Sequence, residues 1–276
     1  MILRGSFILN TLKEIISEHI KYRSQIVKLA KSDIIKTYRS TALGWTWAII
    51  KPSITIAIYY FAFTVGLRAN TPHNGFPYFL WLLAGIIPWF YVKDIFVDGA
   101  YSIRKYRYLV TKIKFPVATI PTFISLSDLL INLMLMAIVM VIFVVYGFAP
   151  DIYWLQLPLY ILMMFMFFIS WSLFAGILSA MSNDFLQLVK SLTMALFWTS
   201  GIMYDVSSIS NETIRTILLF NPITVIVNGY RNSFIYKKWF WEDWSQLAIF
   251  SGIYIIMTLL AIWVYRKLNR DISDVL

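Results

Sequence analysis

Long apolar blocks separated by short polar ones give the chain its pattern. Residues 79–92 are apolar apart from Pro88, residues 129–149 are apolar almost throughout, and similar blocks cover 157–180 and 246–264. A helix needs about 20 apolar residues to cross hydrocarbon. The pattern predicts six spans, at about 45–67, 77–103, 117–149, 157–180, 188–204 and 246–264. Residues 181–190 read as a short connection between the fourth and fifth. Pro52 near the start of the first span is expected to kink or re-seat it. Trp45 and Trp47 stand at the depth of an interfacial aromatic belt.

Two segments break the spanning pattern. Over residues 19–40, Ile20, Val27, Ile34 and Tyr38 recur at helical spacing with Ile26 and Ala30 alongside, opposite Lys21, Lys28, Ser32, Lys36 and Arg39. This predicts a basic amphipathic helix lying in the membrane interface. Residues 205–244 hold two apolar stretches hinged at Asn221–Pro222, each too short to cross. They predict re-entrant helices rimming a vestibule, because irregular backbone at membrane depth must be buried in protein or line a wet cavity. Ser210, ahead of Glu212 and Thr213, offers a helix start. The fold class is therefore all-α and polytopic. A region 1–44 precedes a membrane domain 45–267, and a tail 268–276 follows.

Composition agrees with this class. Apolar and aromatic residues make up 59% of 276 and charged ones 14%, against roughly 45–50% and 25% in soluble domains. Of 24 basic residues, eight precede Gly44, five lie between Arg104 and Lys114, and three follow Val264. With six spans these three clusters share one side, which the positive-inside rule makes cytoplasmic, with both termini. The net charge of +10 then reports orientation and contact with anionic lipid, and nucleic acid is not an expected partner. Interruption of the first apolar residues by Lys13 and Glu14 argues against a cleaved signal peptide.

The chemistry is defined mainly by what is missing. There is no cysteine, no G-x-x-x-x-G-K-[ST] phosphate loop, no H-E-x-x-H and no G-x-S-x-G, and His19 and His73 stand apart. No metal site and no catalytic site are expected. Lys93, Asp94 and Asp98 are the charges nearest to hydrocarbon. The carboxylates at i and i+4 need a basic partner or a wet cavity, and Lys or Arg of the amphipathic helix is the expected partner. Asp128, with Ser125, Ser127 and Asn132, reads as polar glue between helices. Tyr59, Phe63 and Trp198 are candidates to line a conduit in which aromatic faces stack on sugar rings. The hairpin 76–121 carries Arg104, Lys105, Arg107, Lys112 and Lys114 at its tip, and its basic tip is suited to being pushed by something outside the bilayer.

Several motifs in order resemble the membrane subunits of ABC-2 type exporters for polysaccharides and teichoic acids. They are Tyr38-Arg39-Ser40-Thr41-Ala42-Leu43-Gly44-Trp45 with Pro52, residues 79–89, Leu109-Val110-Thr111-Lys112 with Lys114-Phe115-Pro116, and Asn221-Pro222 with Gly229-Tyr230-Arg231. Within that family, residues 228–234 and 237–242 are most similar to wall teichoic acid exporters. The resemblance implies the type V exporter fold in a bacterial cytoplasmic membrane, a homodimer enclosing a channel, and two separate ATP-binding subunits that hold ATP and magnesium. It implies an ATPase-coupling surface at Tyr38, Arg39, Arg104, Lys105, Arg107, Tyr108 and Lys112. The cargo it implies is a lipid-linked anionic polymer, for which Arg231, Lys237 and Lys238 are further path candidates. Export of a capsular or O-antigen-type polysaccharide is the alternative within the family. A membrane glycosyl- or phosphotransferase would need paired carboxylates or a metal motif in a long internal loop, and a passive channel would conduct without ATP.

Overall fold

The computed structural model describes residues 2–39, 41–66, 75–113, 115–269 and 272. Expectations placed on Ser40, Leu67, Arg68, His73, Lys114, Arg270 and residues 273–276, and on the side chain of Arg4, lie outside what it describes. The elements are α1 (Ile2–Lys21), α2 (Arg23–Tyr38), α3 (Trp47–Tyr60), α4 (Tyr78–Lys105), α5 (Arg107–Thr111), α6 (Thr119–Val145), α7 (Leu157–Met181), α8 (Asn183–Thr199), α9 (Glu212–Leu219), α10 (Pro222–Arg231) and α11 (Trp244–Leu268). Short 3₁₀ and π turns join or extend several of them, and no strand occurs among the described residues.

Five helical stretches among the described residues are long and apolar enough to cross a membrane: 44–64, 78–111, 119–145, 152–181 and 240–268. The fifth expected span is α8, which has 17 residues and carries Asp184 and Lys190. It begins at Asn183, earlier than the apolar pattern predicts, because Ser182 caps it by accepting from the Phe185 amide at 3.4 Å. It ends before Gly201, which sits at φ 61°. The residues expected to form a connection at 181–190 therefore belong to the ends of α7 and α8.

Contacts fix the direction of each helix. Arg104, near the end of α4, meets Asn183 at the start of α8, whereas the Tyr78 hydroxyl at the start of α4 donates to the carbonyl of Met203 beyond the end of α8 at 2.9 Å. These two helices run antiparallel over the same depth. Tyr60, ending α3, packs edge-on to Phe79 at 4.9 Å. Phe143 of α6 lies near Phe76, and Phe148 just beyond α6 stacks on Phe76 at 4.0 Å. Helices α3, α4, α6, α7, α8 and α11 thus alternate in direction, which places α1, α2, α5 and the end of α11 at one end of the bundle, the basic end.

Helix α4 is the central post. Its apolar window is 83% buried, against 6% for the stretch containing α3. It packs closest on α7, where a methyl at Gly99 would fall 2.0 Å from Ser172 Oγ, so the crossing depends on small residues. At the opposite end α10 packs against α4 and is capped by Asn221, whose side chain accepts from the Ile223 amide at 2.9 Å, with Pro222 in its first turn. Helix α9 buries none of its residues, and its cap is Asn211 instead of Ser210, accepting from the Ile214 amide at 3.1 Å.

Arg231, at the end of α10, is 1% exposed. It donates to the carbonyls of Gly201 and Ile202 at 2.7 and 2.6 Å, and its guanidinium lies 3.4 Å over the Trp81 ring. Gly85 leaves the room, since a methyl there would come within 2.6 Å of Nη2. The residue locks α10 and the 201–202 turn to α4. Arg231→Met leaves both carbonyls unpaired and is expected to cost about 2–4 kcal/mol, and Gly85→Ala should act in the same direction. Melting of the purified protein in detergent reads both, and unchanged melting would show that the contact does not hold these helices.

Candidate functional site

The site lies at the basic end, where α2 meets α4 and α6. Helix α2 buries Ile26, Ala30 and Asp33, at i, i+4 and i+7. The helical spacing puts Ile20, Val27, Ile34 and Tyr38 on the inward face, but Ile20 and Val27 are 65% and 45% exposed. The face is rotated toward Asp33 because that carboxylate is the group on α2 with partners inside. Lys105 Nζ lies 2.8 Å from Asp33 Oδ1, the Tyr106 hydroxyl donates to the same oxygen at 2.5 Å, and the Ser127 hydroxyl donates to Oδ2 at 3.0 Å. Such a pair is tolerated at 4% side-chain exposure because the remaining lone pairs are also used.

This junction reverses the expected pairing. Acid comes from the amphipathic helix and base from the hairpin, whereas the sequence predicts that Asp94 and Asp98 take a Lys or Arg of that helix. Asp94 instead lies 3.5 Å from its neighbour Lys93, both side chains being about half exposed. Together with Asp98 they border a cavity of about 330 Å³ between α2, α3, α4 and α6. Tyr38 borders it too, and burial first, then the charges of Asp94, Asp128 and Asp98, push its hydroxyl pKa above the usual value. Three of the four residues expected to act as glue on α6 do so: Ser125 bonds the Tyr91 hydroxyl at 2.6 Å, Ser127 bonds Asp33, and the Asn132 amide donates to the Ile87 carbonyl at 2.9 Å.

The hairpin tip splits into two groups. Arg104 turns inward, donating through Nε to the Ser179 carbonyl, through Nη2 to the Ala180 carbonyl at 3.4 Å, and through Nη1 to Asn183 at 3.3 Å. It thereby satisfies the last turn of α7 and opposes that helix's negative end. Lys105 is spent on Asp33. Arg107, Tyr108 and Lys112 are exposed, with Ile113 beside them and Arg39 exposed at the end of α2. Lys36 of α2 reaches over the Tyr106 and Tyr108 rings at 5.4 and 6.0 Å.

The path candidates do not form a single lining. Tyr59 and Phe63 are half-buried, with ring centroids 6.5 Å apart, and Phe63 continues to Tyr78 at 5.5 Å. Trp198 is 54% exposed on α8. Arg231 is sealed in the core, with Nη1 and Nη2 given to the Gly201 and Ile202 carbonyls and Nε buried without a partner. Lys237 is held by Asp151, in a left-handed conformation at φ 55°. Lys238 is exposed, while its carbonyl accepts from Gln156 at 2.7 Å.

Asp33 is not singled out by the sequence patterns above. It is the only acidic residue between positions 21 and 40, and it falls in register with Ile26 and Ala30. That combination, a lone carboxylate on the apolar stripe, is the available signal. Among the described residues, no cluster of three or more His, Cys, Asp or Glu side chains has the arrangement to hold a metal ion.

Comparison with known proteins gives this geometry a family. The model of the ABC-2 type transporter family matches residues 24–235. The chain is 25% identical over 261 residues to the O-antigen export system permease protein RfbA of Myxococcus xanthus, covering 94% of this chain and 98% of that protein. It is 24% identical over 252 residues to the RfbA protein of Klebsiella pneumoniae, covering 91% and 94%. With the family model spanning α2 through α10, the chain belongs to the ABC-2 type transporter membrane family.

Proposed function

We propose that this chain is the non-hydrolytic membrane subunit of an ATP-driven exporter that moves an O-antigen-type polysaccharide across a bacterial cytoplasmic membrane. The observation that carries this reading is the nearly full-length correspondence to permeases of O-antigen export. It favours the polysaccharide alternative over the wall teichoic acid that residues 228–242 suggest. Two copies enclose the channel, and two separate subunits bind ATP and magnesium. The basic end faces the cytoplasm, with the termini. The polymer travels attached to a lipid.

The motor docks on Arg107, Tyr108, Lys112 and Arg39, the exposed part of the basic end. Arg104 and Lys105 instead fasten the hairpin to α7 and to Asp33. A push on α5 reaches α4 through Tyr106, reaches α2 through Asp33 and reaches α6 through Ser127, so one junction carries the load to three helices. Packed elements of this kind switch between discrete arrangements instead of deforming continuously.

Two measurements follow. Reversing charge at Arg107 and Lys112 together should weaken docking and lower polymer export about tenfold, the equivalent of ~1.4 kcal/mol, while the protein melts as wild type; normal export in vesicles holding both subunits would remove the tip from coupling. Asp33→Asn should lower stability by about 1–3 kcal/mol and uncouple ATP hydrolysis from export. Adding Lys105→Met should recover stability, because the pair is then removed as a unit, without recovering coupling. Full coupling in both variants would reduce the junction to scaffolding.

A further inference from the structure

We propose that the cavity between α2, α3, α4 and α6 is a binding site for a sugar ring of the exported polymer. This rests on the polysaccharide reading above and gives its substrate a first point of contact at the basic end. The unmatched groups in the cavity are acceptors. Asp128 Oδ2 and Asn132 Oδ1 are both buried without a hydrogen-bond partner, and both residues line the space. Asn132 is 2% exposed, and its amide nitrogen donates one hydrogen to the Ile87 carbonyl, while its oxygen has no partner. A buried acceptor with no partner is costly unless a ligand or water supplies a donor.

The surrounding chemistry favours a polyhydroxyl over a cation. Four carboxylates, Asp33, Asp94, Asp98 and Asp128, border the cavity, but Lys51 and Lys93 border it as well, and Lys105 neutralises Asp33. Among the described residues the carboxylates do not converge on a point that would hold a metal ion. A sugar ring brings several hydroxyl donors, each able to satisfy one acceptor, and an apolar C–H face. Trp47 and Tyr91 line the same space and offer aromatic surface to that face. The volume of about 330 Å³ is at the lower end of the roughly 300–1,000 Å³ of small-molecule sites. The site therefore takes a single residue of the chain, with the remainder outside.

Equilibrium binding decides the proposal, using a tritiated alkyl hexoside and the full chain with its ATP-binding subunits in nanodiscs. Saturable binding is expected in wild type, competed by free oligosaccharide. It should weaken tenfold or more in Asp128→Asn, Asn132→Leu and Trp47→Ala, while a sugarless alkyl ether of the same tail length shows no saturable binding to any of them. Asp128→Asn keeps the side-chain shape, and melting of each variant separates lost binding from lost folding. The proposal is overturned by affinity unchanged in a folded Asp128→Asn, by no saturable binding in wild type, or by displacement with sodium or calcium chloride but not with oligosaccharide. Export of surface polysaccharide by wild type is measured in parallel. Its absence would sink the transport reading, whereas normal export by a folded Asp128→Asn that binds the hexoside as wild type does would sink the sugar site alone.

Discussion

A single buried carboxylate joins α2 to α4 and α6 at the basic end of the bundle. Asp33 accepts from Lys105, Tyr106 and Ser127 and is 3% exposed. Remove it and α2 keeps only Ile26 and Ala30 as fully buried residues. Without it α2 is held by apolar packing of Ile26, Leu29 and Ala30 and by Lys36 over the Tyr106 ring. With the ion pair its rotation against α4 and α6 is set, and breaking such a pair strands a charge.

The same logic repeats at both ends of α4. Arg104 fastens its basic end to the last turn of α7, and Arg231 fastens α10 and the 201–202 turn to its opposite end, over Trp81 and against Gly85. Between these two locks the helix crosses α7 through Gly99 and Ser172. The wall left loose is α3, whose stretch is only 6% buried against its own chain, and it borders the cavity through Trp47 and Lys51. In the proposed dimer, α3 is the element with surface to spare for a second copy or for passing polymer.

Position along the apolar pattern was legible in the sequence, and the partner of each charge was not. Asp94 and Asp98 stand out in a one-dimensional reading because they interrupt a hydrophobic run, yet Asp94 pairs only with its neighbour Lys93 and both carboxylates border the cavity. Asp33 is inconspicuous among the basic residues of α2 and makes the decisive contact. Arg104, Lys105, Arg107 and Lys112 form one cluster in sequence and two groups in space, because α4 ends at Lys105 and the chain bends at Tyr106 before α5. The bend turns the first pair toward protein and the second pair toward solvent.

What the sequence determined by itself was the all-helical membrane class, the helical hairpin with its basic tip, the short apolar pair hinged at Asn221–Pro222, and the lack of a phosphate loop. Each of these follows from local periodicity, length or a motif, and local order carries that information. What only the tertiary structure decided was which ionic groups are fastened and which are free. Ser127 meets Asp33 across 94 positions, and Arg231 meets Gly201 across 30. Desolvation makes each buried charge take whatever partner the packing brings within reach, and that reach is set by how α4, α6 and α7 cross.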